Sequence, residues 1–260
     1  MVRAVDNGCR PTLGLEVIAG LLQVESPLSK AALRESLMPR QKLAEVLVSE
    51  ALLAGHQVGA LGLSLLDLHR TRSQYYAFIV DRLPSSPSVL KGSMVARHYP
   101  SGVTRGLVDL DLLCRNENEF WRCAAAVQGI MSAHPLMATW PIGERNHFVV
   151  AYETPSQGSV FEAPYRIELS TNALPGNFID MPSREVPWDY SSNHSPAYDL
   201  LLLAEEQFQR GVIGRDVVDV VYLLRPWRPR TWPFSTHWLS APSWSRKSVP
   251  CSSILPSSDS

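Results

Sequence analysis

The sequence has no long apolar run, no surplus of either charge and few cysteines, and each shortage removes a class of protein. Its most apolar stretches, near 43–54 and 197–204, are flanked by polar residues and fall short of the ~20 residues a membrane helix needs. The opening residues, Met1 to Gly8, carry no apolar core of the kind a secretory signal requires. A soluble, cytoplasmic protein without a membrane partner is therefore expected. The four cysteines (Cys9, Cys114, Cys123, Cys251) are scattered, with no C-x-x-C pair and no Cys/His cluster at zinc spacing. Reduced thiols are the expectation. Lys and Arg number 24 against 25 Asp and Glu, a formal charge of −1. Such balance argues against coating nucleic acid by bulk charge, and leaves a nucleic-acid partner unindicated but open.

What is present is enough to fold. Of 260 residues, 45% are hydrophobic and only 19% charged, which supports a sizeable core and excludes disorder throughout. The near-neutral average joins unlike parts. Residues 225–260 hold five basic residues and one acidic one, so the preceding body is acidic. Residues 226–260 also contain four of the seven tryptophans among prolines and serines, at no helical or strand period. This segment reads as a poorly ordered basic tail, replaced by divergence or a shifted reading frame.

Periodicity divides the rest. Residues 12–83 read as helices, with Ser29 as an N-cap and Leu43, Val46, Leu47, Ala51 and Leu52 recurring at three- and four-residue steps. Pro84 to Pro87 breaks the pattern and marks a boundary. Strands follow at 107–113, 136–141, 146–153 and 164–170, with a short helical stretch after Gly92 and a helix at 116–132. Residues 175–196 look irregular, and helices at 196–210 and 214–224 close the body. The organisation expected is a helical region at 1–83, a core at 84–192, C-terminal helices at 193–225 and the tail at 226–260.

The chemistry is concentrated in Val89 to Ser93 and Arg105 to Leu113. In a strand, Asp109 and Asp111 share one face while Val108, Leu110 and Leu112 take the other. Adjacent carboxylates repel unless a cation neutralises them. Mg²⁺ suits them, because it prefers carboxylate oxygens and retains room for water and a substrate phosphate. Glu168 alternates with Ile167 and Leu169, offering a third carboxylate on a strand able to neighbour the first. The Gly92-Ser93 turn supplies backbone N–H groups and a hydroxyl where phosphates would lie.

Lys91-Gly92-Ser93, a helix, Arg105, and then Asp109 and Asp111 in a strand resemble the nucleotidyltransferase superfamily built on the polymerase-beta-type fold. More narrowly, Leu90 to Tyr99 followed by Arg105 and Asp109 to Leu113 resembles the uncharacterised bacterial nucleotidyltransferase-like family. The closing helices, with Leu200 to Leu203, Arg215 and Asp219, are similar to that family's C-terminal part. The chain departs from the pattern at Val108, at Ser170 and in the lack of histidine around Glu205 to Gln209. The resemblance implies an α+β fold: a small mixed sheet of the nucleotidyltransferase type with N-terminal helices and a C-terminal helical pair. It implies transfer of a nucleoside monophosphate from an NTP, ATP foremost, to an unidentified hydroxyl-type acceptor. Asp109, Asp111 and Glu168 would be catalytic and ligate Mg²⁺, Glu168 assisting deprotonation of the acceptor. Gly92 and Ser93 would contact the phosphates, with Lys91 and Arg105 as cations facing the triphosphate. Two alternatives stay open: an inactive nucleotide- or partner-binding module of the same fold, and a toxin–antitoxin component modifying protein or RNA.

Overall fold

The helices begin where side chains can satisfy free backbone N–H groups. The computed structural model describes residues 12–142, 144–155, 164–174, 183–185 and 195–224. Four helices come first: α1 (Leu15–Leu22), α2 (Lys30–Ser36), α3 (Ala44–Leu53) and α4 (Ala60–Val80). Ser29 caps α2 by accepting the Ala32 N–H at 3.0 Å. After β1 (Ser88–Leu90), the short α5 (Gly92–Ala96) and β2 (Asp109–Leu113) comes α6 (Glu117–Met131). Asn116 caps α6 through the Glu119 N–H at 2.9 Å, and Glu119 reaches back to the Arg115 N–H, closing a reciprocal box. Strands β3 (Pro135–Ile142), β4 (Arg145–Glu153) and β5 (Arg166–Ser170) follow, then α7 (Pro196–Arg210) and α8 (Gly214–Leu224). Ser195 caps α7, with Pro196 at the position where its missing N–H costs nothing.

The five strands form one mixed sheet in the order β1-β2-β5-β4-β3. Only β2 and β5 run parallel among these pairs; β1/β2, β5/β4 and β4/β3 are antiparallel. The expected α+β class is thus observed. Among the described residues, no helix is long and apolar enough to cross a membrane.

One sheet face is covered by α4 and α6. Leu110, Leu112, Ile167, Leu169, Val150 and Tyr152 pack there against Tyr76, Ile79, Phe120, Cys123 and Val127. A second core joins the two ends of the described chain: Ile18, Leu22, Leu43, Val46 and Leu47 meet Val95, Tyr99, Leu203, Val218, Tyr222 and Leu223. Leu90 and Leu113 link the sheet to Tyr198 and Leu202 of α7. Strand β2 starts at Asp109, two residues later than its apolar pattern predicts. Helix α4 is the reason: Arg72 Nη1 donates to the Leu107 carbonyl and the Tyr76 hydroxyl to the Val108 carbonyl, both at 2.9 Å. Those acceptors are taken by side chains rather than by a neighbouring strand. The tail 226–260, Cys9 and Cys251 lie outside the described residues, as does most of 175–194.

Candidate active site

Alternation in β2 and β5 places the three expected carboxylates on the face opposite α4 and α6. Leu110 and Leu112 turn into the core, so Asp109 and Asp111 face the other way. The parallel register pairs Asp111 with Glu168, while Leu90 lies opposite Asp111 on the other side. Lys91, one residue beyond Leu90, is therefore delivered to the same place. Its φ of 49° and ψ of −116° fall where a non-glycine side chain costs on the order of 1–3 kcal/mol. Its carbonyl accepts the Met94 and Val95 N–H groups, both at 2.9 Å, so the turn that starts α5 fixes the residue.

The Lys91 ammonium stands 3.8 Å from Asp111 and 3.6 Å from Glu206 of α7. Glu206 is a fourth carboxylate that the sequence pattern did not single out. It sits in an amphipathic helix whose spacing reads equally as solvated surface, and only tertiary packing brings it here. Burial pushes the Asp111 carboxyl up; Lys91 opposes this, while Asp109, Glu168 and Glu206 add to it, and the result is about 7. Burial pulls the Lys91 ammonium down, but Asp111, Glu206, Glu168 and Asp109 outweigh it and hold the group above its ordinary range. Among the described residues Asp111 pairs with Lys91, and Glu206 with both Lys91 and Arg210. Arg166 adds only a long, half-exposed contact to Glu168 at 3.4 Å.

The remaining expected residues are placed differently. Arg105 is 4% exposed, and its Nε and Nη2 meet the Asp219 carboxylate at 2.8 and 2.7 Å. Asp219 is 0% exposed and also accepts the Tyr99 hydroxyl. The Arg105 guanidinium is thus engaged with α8, in a buried bidentate pair. Gly92 answers to the same pair: a Cβ there would stand 3.0 Å from Arg105 Nη1 and 3.3 Å from Leu107. Ser93 lines a cavity of about 490 Å³ with His69, Ser73, Tyr76, Arg97 and Leu110. In sum, Asp109, Asp111 and Glu168 share one sheet face with Lys91 against Asp111, whereas the Arg105 guanidinium is engaged with Asp219.

Hard carboxylate oxygens, one of them on a buried group with a raised pKa, are a donor set that fits a divalent cation such as Mg²⁺. As the side chains stand, no three His, Cys, Asp or Glu residues among those described converge as a metal site. A second cleft, of about 870 Å³, opens at the far ends of β2 and β5. There His147 contacts Glu185 at 3.2 Å and Thr171 at 3.4 Å. Comparison with protein families, curated proteins and solved structures finds no match for this chain.

Proposed function

We propose that the protein is a Mg²⁺-dependent nucleotidyltransferase that moves a nucleoside monophosphate from an NTP, ATP foremost, to a hydroxyl-type acceptor. The observation that carries this reading is the gathering of Asp109, Asp111 and Glu168 on one sheet face, with Asp111 and Glu168 paired in register. The motif Lys91-Gly92-Ser93 ahead of Asp109 and Asp111 supports it. Asp109, Asp111 and Glu168 would hold Mg²⁺, which would neutralise phosphate charge and ease ionisation of the attacking hydroxyl. In the reaction the acceptor oxygen bonds to the α-phosphorus, the bond from that phosphorus to the bridging oxygen breaks, and pyrophosphate leaves. Glu168 takes the hydroxyl proton. Lys91 is the near cation for this chemistry, since it already lies against Asp111 and Glu206.

One observation favours a second reading. The Lys91 ammonium supplies the carboxylates with a cation of their own, as an idle nucleotide- or partner-binding module would. Incubation with Mg²⁺ and each labelled NTP separates the two. Pyrophosphate release that disappears in Asp109→Ala and Asp111→Ala is the expected outcome. Nucleotide binding without release supports the idle module, and release independent of both aspartates overturns the assignment.

A further inference from the structure

Two cations within electrostatic reach of Asp109 and Glu206, Lys42 and Arg215, form no salt bridge among the described residues. Arg215, in the first turn of α8, is 7% exposed. Its Nε meets no acceptor among the described residues, and its Nη1 reaches only the Gly106 carbonyl, at 3.5 Å. Lys42 lies in the turn between α2 and α3, at a φ of 51°. The backbone ties the two residues together. The Gly214 N–H donates to the Arg40 carbonyl at 3.1 Å and the Arg215 N–H to the Gln41 carbonyl at 2.9 Å. Lys42 is thus the residue next to the acceptor of Arg215's own N–H. The approach is close: a Cβ on Gly214 would stand 2.1 Å from Gln41 Oε1.

Both cations pay for this placement. Burial lowers the Lys42 pKa and the Arg215 charge lowers it further; burial and then the Arg105 charge lower that of Arg215. Asp219, Asp109 and Glu206 oppose these effects at Arg215, and Asp109 and Glu206 do so at Lys42. Of the nearby carboxylates Asp109 is in no ion pair among the described residues, and the others are engaged. Asp219 holds Arg105 and Asp216 holds Arg210, while Glu206 lies against Lys91 and Arg210. A buried guanidinium without a counter-ion is a costly arrangement, and an anion from outside would relieve it.

We propose that Lys42 and Arg215 form an anion site for a phosphate group, so that the N-terminal helical segment supplies part of the substrate site. A guanidinium fork beside an ammonium suits a multiply charged tetrahedral oxyanion better than a single carboxylate. That this phosphate belongs to a nucleotide or to a phosphorylated acceptor rests on the nucleotidyltransferase reading; the anion site itself does not.

The test uses the full chain and inorganic pyrophosphate, without Mg²⁺, read by titration calorimetry and by the rise in Tm. Binding to the unaltered protein is expected, weakened about tenfold or more in Lys42→Gln and in Arg215→Met. Exposed Arg70→Gln is the control for general loss of charge and should bind as before. Arg215→Met without ligand should keep or raise Tm, because no ion pair is lost; should that variant fail to fold, Lys42→Gln decides. Displacement of pyrophosphate by ATP but not by AMP assigns the site to the nucleotide's polyphosphate. Equal displacement by both assigns it to a single phosphate such as an acceptor carries. No binding to the unaltered protein, or equal binding in both variants, overturns the proposal. The nucleotidyltransferase reading is judged separately by NTP turnover in the aspartate variants. Transfer that needs Asp109 together with unaltered pyrophosphate binding sinks the anion site alone, and the reverse pattern sinks that reading alone.

Discussion

Asp219 shows how one buried side chain can decide what another is able to do. Its carboxylate receives two hydrogen bonds from Arg105 and one from Tyr99, all inside the protein. Removing one member of such a set leaves a charge that neither water nor protein satisfies. Asp219→Ala should therefore lose about 3–5 kcal/mol of stability in urea unfolding. The double variant Arg105→Met/Asp219→Leu should recover most of that loss, because apolar groups then replace both charges. If the single variant is as stable as the parent, the pair is not structural. The carboxylates of β2 and β5 could be read from the text, because strand alternation is a local rule. The partner of Arg105 could not: it lies 114 positions away, and nothing in the spacing of Asp219 distinguishes it from a surface aspartate.

At the scale of elements, α4 and the turn after α5 set where β2 begins and hence where its aspartates stand. Arg72 and Tyr76 hold the Leu107 and Val108 carbonyls, and Gly102 shapes the turn before them with a φ of 86°. A Cβ at Gly102 would lie 2.8 Å from a terminal methyl of the exposed Leu53, which can shift, so the backbone conformation is what disfavours a side chain there. Gly102→Ala should cost at least about 1–2 kcal/mol, seen as a lower urea midpoint at unchanged slope. A midpoint like the parent's would show that this turn readily adopts another conformation. The strand positions were largely legible from alternation. Their start was not, because side chains from a distant helix occupy the backbone groups of Leu107 and Val108.

For the molecule as a whole, the helices before Pro84 and those after Ser195 complete one another. Tyr222 of α8 donates to the buried Glu50 of α3 at 3.1 Å and accepts the Leu13 N–H at 3.2 Å. Ile18, Leu22, Leu43 and Val46 close the core against Val218 and Leu223. A fragment spanning 84–224 would expose that apolar surface. It should give non-cooperative unfolding and bind a hydrophobic dye, by calorimetry and fluorescence. A sharp thermal transition for the fragment would show that the leading helices are dispensable.

The sequence by itself determined most of the helices and strands, the helical cap at Ser29, and the shared face of Asp109 and Asp111. Each rests on periods and contacts within a few residues, which the local text specifies. Only the tertiary structure decided the rest. It brought Glu168 into register with Asp111, set Lys91 and Glu206 beside them, turned Arg105 towards Asp219, and tied the backbone of Arg215 to the turn that holds Lys42. These pairings depend on packing between elements far apart along the chain, where burial and the surrounding charges fix what each side chain can do.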